Sequence, residues 1–322
     1  MKRSAATTRP GTRARRRQTL ETAAAGLTLG PLLHNWPAEK RRDFYFRIAD
    51  ESPFDAVCLG EVVCSKRAHQ FDPHLGEVAE RLRRAGKTAV HSSLALVTGA
   101  RDMEFVRSAA AREGTIEAND LAAVELLRGR PHHVGPYVNV YGEDTVKLLS
   151  RLGATRICLP IELSAEAVAA IAKASPAEIE VVVFGRIPLA MSVRCFHARS
   201  RGRRKDTCRF VCGEDADGLP IGTVEGEKFL AIAGCQVLSH AYLNLAGEVA
   251  RLRRAGARRF RVLPQAADMV AIGSTFRRLL DGAIDAKEAQ ARLRTLTPRA
   301  VGFINGFVHG QPGEAWIQVR AA

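Results

Sequence analysis

The feature that most constrains this fold is a regular alternation of short strand-like runs with segments of helical length. Eight runs are rich in apolar or β-branched residues: 27–33, 55–59, 88–92, 115–117, 133–138, 156–159, 179–184 and 259–263. Amphipathic segments lie between most of them: 38–48, 75–84, 102–112, 121–127, 143–152 and 164–173. Crossover helices between successive strands predict a parallel sheet. Eight strands favour an α/β fold of the (β/α) TIM-barrel-like type, with a doubly wound open sheet as the alternative.

Charge and composition divide the 322-residue chain into two parts. The net charge is +14, and residues 1–17 carry seven Lys and Arg residues and no acidic residue. Residues 1–26 also lack hydrophobic periodicity, which predicts a basic, disordered extension before a single barrel-like domain over residues 27–322. Seven cysteines, an odd number, and no convincing secretory signal argue against a disulfide framework and favour a cytoplasmic location. No apolar run approaches the ~18 residues that span a bilayer.

The stretch from Cys195 to Cys212 interrupts the alternation with a long, cationic segment. It holds Cys195, Cys208 and Cys212, and the Lys and Arg side chains between them would lower the thiol pKa and favour the metal-binding thiolate. A loop of this length in a compact domain is usually functional or disordered. The three cysteines favour function, and therefore a Cys-rich loop insertion at the C-terminal face of the barrel.

A fourth ligand is expected from another loop at the same face, because the loops after barrel strands all open there. Cys64 follows the run 55–59, as Cys195 follows the run 179–184, so Cys64 is the predicted fourth ligand. Four thiolates could hold zinc or an iron–sulfur cluster, and the single short cysteine spacing beside a cationic loop favours [4Fe-4S].

The other three cysteines lie in apolar sequence. Cys58 and Cys158 fall inside strand-like runs, and Cys235 lies in a further run, 229–238, that is predicted to form one strand. Buried, unreactive thiols that behave as small hydrophobes are expected at all three positions. They are therefore not predicted to reach the mouth of the barrel.

Several motifs together resemble the ubiquinone-biosynthesis branch of the collagenase-like peptidase family. They are Gly60–Arg67 (GEVVCSKR), Leu94–Val97, Pro160–Ser164, Leu189–Arg199, and Lys205–Cys208 with Cys212. The resemblance runs from about residue 27 to the C terminus. It implies a [4Fe-4S] cluster on Cys64, Cys195, Cys208 and Cys212, and a heterodimer with a UbiU-like sister protein that carries its own cluster. The implied activity is O2-independent hydroxylation of aromatic-ring ubiquinone precursors, with a lipid-carrier accessory protein.

The same resemblance suggests where the oxygen comes from. Relatives in the family hydroxylate RNA bases, with prephenate implicated as hydroxyl source, so a prephenate donor is an expectation here too. An RNA-base-hydroxylating relative is the alternative function, and a peptidase is the third.

Candidates for binding a carboxylated donor or for proton transfer lie on or near the strand-end loops. They are Glu61, Lys66, Arg67, His91, Glu162, His197 and Arg199. Each also has a purely structural interpretation, as a helix cap, a solvated charge or a hydrogen-bonded buried histidine. The sequence does not separate the two.

Overall fold

Eight parallel strands close into a barrel in the computed structural model, which describes residues 24–318. The strands are β1 (Gly26–Leu29), β2 (Ala56–Gly60), β3 (Thr88–Ser92), β4 (Thr115–Ala118), β5 (His132–Val134), β6 (Ala154–Cys158), β7 (Glu178–Met191) and, after three strands outside the barrel, β11 (Arg259–Val262). Strand β11 pairs in parallel with both β1 and β7, and this pairing closes the barrel. The prediction of a TIM-barrel-like parallel barrel is therefore confirmed, and the open doubly wound sheet is excluded.

Helices connect the strands and cover the outside of the barrel. They are α1 (Ala38–Glu51), α2 (Ser65–Arg84), α3 (Ala100–Ala110), α4 (Leu121–Leu126), α5 (Glu143–Arg151), α6 (Ala165–Ala174), α7 (Phe196–Ser200), α8 (Val249–Arg254), α9 (Met269–Leu280) and α10 (Ala286–Leu296). The helix α6 begins where the sequence predicts, because the Ser164 hydroxyl accepts a hydrogen bond from the Ala167 amide at 3.2 Å. The largest apolar core lies between these helices and the strands.

Charged side chains occupy part of the barrel interior. Arg261 donates to Glu180 at 2.5 and 3.0 Å and also pairs with Glu117, and all three side chains are at most 2% exposed. One layer away, Glu178 accepts from Arg156 at 2.8 Å and from Arg259 at 2.9 Å. Because buried charges are costly unless paired, these contacts are required for the interior to be stable.

One strand leaves the barrel and carries the cysteine-rich segment. The second half of β7 pairs antiparallel with β10 (Gln236–Asn244), which pairs with β9 (Lys228–Ala233) and through it β8 (Leu219–Gly222). A two-residue strand, β12 (Phe303–Ile304), pairs in parallel with β10. The predicted single strand over 229–238 is wrong, because a turn at Gly234 and Cys235 divides it into β9 and β10.

The ends of the chain affect two predictions. Residues 1–23, most of the predicted basic extension, lie outside the described residues, and β1 begins at Gly26 rather than at the predicted Leu27. Within residues 24–318, every helix is too short or too polar to cross a lipid bilayer.

Candidate functional site

Five cysteines line one pocket at the mouth of the barrel. Cys64, Cys195, Cys208, Cys212 and Cys235 share it with Lys66, Arg67, Lys205, Phe210, Val211 and Gly234. We call this the cysteine pocket. All seven cysteines are free thiols, and the remaining two, Cys58 and Cys158, are fully buried in the barrel, as predicted. The structure therefore brings together the four cysteines that the sequence singled out, and adds a fifth.

Cys64 is held by a tight turn after β2. Gly60 has φ +102°, and a Cβ there would lie 2.8 Å from the Ser92 carbonyl oxygen, so only glycine permits this turn without strain. The buried Glu61 carboxylate then accepts from the Val63 amide at 2.9 Å and the Cys64 amide at 3.1 Å. Cys64 is the N-cap residue of the 20-residue helix α2, where the positive end of the helix favours a thiolate.

Cys195 occupies the equivalent position before the short helix α7. Its Sγ atom accepts a hydrogen bond from the Ala198 amide at 3.4 Å. The next turn is secured by His197, which is fully buried and contacts the Asp215 carboxylate at 2.9 Å. An N–H group that points at a thiolate stabilises its negative charge, as it does in metal–thiolate sites.

Cys208 and Cys212 are brought to one side of their loop by unusual backbone. Arg209 and Phe210 both have left-handed φ angles, 49° and 55°, which cost non-glycine residues about 1–2 kcal/mol each. A 3-10 turn over Val211–Gly213 follows. The Lys66 ammonium group fastens the loop by donating to the carbonyls of Lys205 at 2.8 Å and Asp206 at 3.0 Å. The loop after β2 that carries Cys64, here called the early loop, and the segment Cys195–Cys212, here called the late loop, are thus joined directly.

Cys235 is the residue that the sequence interpretation missed. It lies at the tip of the β9–β10 hairpin, where Gly234 has φ +69°, and it is 2% exposed. Its burial was predicted, but the prediction that it lies away from the barrel mouth is wrong: its thiol interacts with the thiols of both Cys64 and Cys195. The glycine before it was the available signal, because it permits a two-residue hairpin turn inside the apolar run.

The pKa values of four of these thiols are shifted in different directions. Hydrogen bonding from Cys235 lowers the pKa of Cys64 to about 7, against the effect of burial and with help from Arg67. Hydrogen bonds from Cys235 and from the Ala198 amide lower the pKa of Cys195 to about 6. Burial raises the pKa of Cys212, and the contacts with Cys64 and Cys195 raise that of Cys235. Cys235 therefore holds its proton more tightly than Cys64 and Cys195 do.

The donor set matches a [4Fe-4S] cluster in its chemistry. Such a cluster is bound by four thiolates, and Lys66, Arg67 and Lys205 supply positive charge around it. The space that the side chains enclose as they stand is smaller than a cluster. The pocket encloses about 20 Å3, room for about one water, and among residues 24–318 no three His, Cys, Asp or Glu side chains converge on a single metal-ion position. Binding a four-iron cluster would require the cysteine side chains to rotate apart.

A cationic cleft of about 920 Å3 adjoins the cysteine pocket and shares Lys66, Cys195 and Lys205 with it. Five arginines line this cleft without an ion pair to any residue in the described part of the chain: Arg101, Arg194, Arg199, Arg203 and Arg204. Two acidic residues also line the cleft, Asp102, which is already bonded to Ser65 and Thr98, and Asp206, against five arginines and two lysines. The cleft therefore presents a surface suited to an anion.

A second, smaller cavity of about 270 Å3 lies at the barrel mouth; most of its lining side chains are apolar or aromatic, but about half of its surface is polar. It is lined by Ala95, Pro136, Tyr137, Asn139, Pro160, Ile161, Glu162, Pro188, Leu189, Ala190 and Met191. We call it the barrel-mouth pocket. Three of these residues, Ala95, Tyr137 and Met191, also pack against the apolar cluster that contains Cys195 and Cys235. The barrel-mouth pocket and the cysteine pocket are therefore connected through this apolar cluster.

The predicted catalytic candidates fall into different places. Glu61, Lys66, Arg67 and His197 support the cysteine loops, Arg199 lines the cationic cleft, and Glu162 lines the barrel-mouth pocket. His91 is not with them. Its strand neighbours Val90 and Ser92 face the barrel interior, and side chains alternate along a strand, so His91 faces the helices. Burial there and the nearby Arg112 lower the pKa of His91.

A closed parallel barrel with a cluster of thiols at its mouth defines an α/β-barrel protein with a candidate metal-cluster site. The model of peptidase family U32 matches residues 45–318, and the chain belongs to that family. This confirms the collagenase-like peptidase family as the broader assignment.

Solved structures are similar only distantly. The U32 peptidase Mk0906 is 12% identical over 76% of this chain and 95% of its own, with a TM-score of 0.43. Octameric ribulose-1,5-bisphosphate carboxylase/oxygenase from Pyrococcus horikoshii OT3 is 11% identical, over 87% of this chain and 66% of its own, with a TM-score of 0.45. Phospho-2-dehydro-3-deoxyheptonate aldolase from Thermotoga maritima is 12% identical, over 86% and 71%, with a TM-score of 0.41.

Proposed function

We propose that this chain is a UbiV-like, [4Fe-4S]-binding component of an oxygen-independent hydroxylase that acts on the aromatic ring of ubiquinone precursors. The observation that carries the proposal is the meeting of Cys64 with Cys195, Cys208 and Cys212 in one pocket, although 130 residues separate the first two. When bound, the cluster would supply electron transfer. The heterodimer with a UbiU-like protein and the lipid-carrier accessory protein are parts of the same proposal.

The surroundings of the cysteine pocket support a reaction between two different ligands. The barrel-mouth pocket, with Tyr137, Ile161, Leu189 and Met191, suits the flat, apolar ring of a quinone precursor. The cationic cleft on the other side suits a carboxylated hydroxyl donor such as prephenate, because arginine binds carboxylates through paired hydrogen bonds. Glu162 is the titratable side chain placed to exchange a proton with a ring in the barrel-mouth pocket.

Iron content tests the cluster. Protein prepared without oxygen should hold about four iron atoms per chain, and Cys208→Ala should lose most of them. The matched control is Cys58→Ala, which removes a fully buried thiol outside the pocket. Colourless wild-type protein with one zinc per chain would overturn the proposal in favour of a structural zinc site.

Substrate position is tested separately. Leu189→Glu places a charge in the barrel-mouth pocket at a residue that is 41% exposed, and it should abolish anaerobic ring hydroxylation by the complex with the UbiU-like partner, while the iron content stays unchanged. The control Leu148→Glu changes a residue on α5 that is 47% exposed and lies outside the pocket. Equal activity of the two variants would contradict a ring site in this pocket.

The cationic cleft favours a second candidate, hydroxylation of RNA bases. The five arginines, which form no ion pair with residues 24–318, could contact phosphates, and binding would then weaken steeply with salt. Replacing both Arg203 and Arg204 by Glu in the full-length chain should abolish RNA binding if this function is correct. RNA binding that survives this change would assign it to the basic residues 1–17 instead.

A further inference from the structure

The number of thiols in the cysteine pocket exceeds what one cluster needs. A [4Fe-4S] cluster takes four cysteine ligands, and the pocket is lined by five. The fifth, Cys235, lines this pocket with the other four and interacts with the thiols of Cys195 and Cys64. It is also more deeply buried than Cys64, which is only half-buried.

The backbone fixes Cys235 against the late loop. The Ser192 amide donates to the Cys235 carbonyl at 2.9 Å, and the His197 amide donates to the Gly234 carbonyl at 3.2 Å. These two hydrogen bonds lie on either side of Cys195 in the sequence. The hairpin tip and the Cys195 turn therefore form one unit, in which the spacing of the two thiols is set by main-chain contacts.

Cys64 belongs to a different part of the fold. It comes from the loop after β2, and its connection to the late loop runs through side chains, mainly Lys66 and Arg67. The Arg67 guanidinium also lies 3.6 Å from where a Cβ on Gly234 would stand, so the early loop meets the hairpin tip directly. Cys64 and Cys235 thus reach the same pocket from two different loops.

We propose that Cys235 is an alternative cluster ligand that can replace Cys64. Two sets of four thiols would then hold the cluster, both containing Cys195, Cys208 and Cys212, and completed by either Cys64 or Cys235. This inference rests on the proposed function, because it requires a cluster in the cysteine pocket. The exchange involves no change in oxidation state: one thiolate leaves an iron atom and takes up a proton, and the other thiol loses its proton and binds.

The experiment compares cysteine variants of the full-length chain, prepared without oxygen. Cys64→Ala and Cys235→Ala should each keep iron within about twofold of wild type. The double variant and Cys208→Ala should fall at least tenfold, while Cys58→Ala serves as the unaffected control. Low-temperature electron paramagnetic resonance of the reduced protein should show a shifted signal in Cys64→Ala, because the ligand has changed, and a wild-type signal in Cys235→Ala.

Three other iron-content results would each overturn the inference, and they can be told apart. Loss of iron in Cys64→Ala as severe as in Cys208→Ala would mean that Cys235 cannot replace it. Retention of iron in the double variant would mean that neither residue is a ligand. If wild-type protein holds no iron, the proposed function itself fails, and the inference fails with it. The serine variants Cys64→Ser and Cys235→Ser, alone and combined, preserve side-chain volume and give the same comparison if an alanine variant does not fold.

Discussion

The Glu61 carboxylate and the Arg67 guanidinium lie 2.6 Å apart, and both side chains are at most 3% exposed directly behind Cys64. The same carboxylate oxygen accepts the Val63 and Cys64 amides. Arg67 also reaches the Leu33 carbonyl, at 3.4 and 3.5 Å, at the barrel mouth after β1. One buried ion pair therefore orients the backbone of a predicted ligand and joins it to the barrel.

Neutralising this pair should destabilise the protein. Glu61→Gln keeps an oxygen that can accept the two amides but leaves Arg67 without its anion, and breaking a buried pair typically costs about 3–5 kcal/mol. Urea unfolding of the cluster-free protein measures the loss. The exposed Glu162→Gln is the control and should change the unfolding free energy by less than about 0.5 kcal/mol. Equal effects of the two changes would contradict the role given to Glu61.

Removing the tether between the two cysteine loops should loosen residues 199–212. Lys66→Met loses both hydrogen bonds from the ammonium group to the Lys205 and Asp206 carbonyls. A hydrogen bond to a charged group contributes about 1.5–3 kcal/mol, so the loop should open roughly tenfold or more often. Limited trypsin digestion should cut the loop faster by that factor. Lys147→Met, which removes only a surface pair with Asp144, should leave the rate unchanged.

The charged interior of the barrel should be sensitive to loss of its central arginine. Arg261→Met would leave the fully buried Glu117 and Glu180 without their shared cation, with an expected cost of about 3–5 kcal/mol or more. The half-exposed Arg292, which pairs with Glu288, is the matched control and should cost less than about 1 kcal/mol when changed to Met. Thermal and urea unfolding give both values. A loss at Arg261 as small as at Arg292 would contradict the interior network.

Acid should remove part of the same stabilisation. Burial alone would raise the pKa of Glu180, but Arg261 and Arg156 outweigh it and lower the pKa to about 2. An unfolded glutamate titrates near ~4.3, so the unfolded chain takes up the proton first as the pH falls. The contribution of Glu180 is therefore complete above about pH 5.5 and is lost as the pH falls toward 2. Unfolding free energies across this range should fall with acid, and more gently in Glu180→Gln; identical slopes would refute the assignment.

Much of the fold could be predicted from the sequence because it depends on local patterns. Alternating runs such as 88–92 and 102–112 indicated strand and helix, and the connection rules for parallel strands reduced the choices to a barrel or an open sheet. The rule that strand-end loops share one face also placed Cys64 with Cys195 before any coordinates. The Ser164 cap was readable because the serine side chain bonds within three residues.

Gly234 could have indicated the hairpin turn, but neither the meeting of Cys235 with the other cysteines nor the two cavities could be predicted in this way. Cys235 looked like an ordinary apolar strand residue, and only the pairing of β9 with β10 shows that it occupies a hairpin tip beside Cys195. Likewise, Glu61, Lys66 and Arg67 looked like possible catalytic groups, and the fold uses them to hold the cysteine loops together.

The sequence by itself thus determined the alternation of strands and helices, the closure into eight parallel strands as the leading choice, and the four cysteines of the early and late loops. Only the tertiary structure decided which side chains surround them, and that a fifth thiol joins the set. The reason is physical: strand and helix periodicity and helix caps act within a few residues, whereas a pocket is formed by side chains far apart in the chain. Their distances depend on sheet closure and hairpin register, and no local pattern encodes those distances.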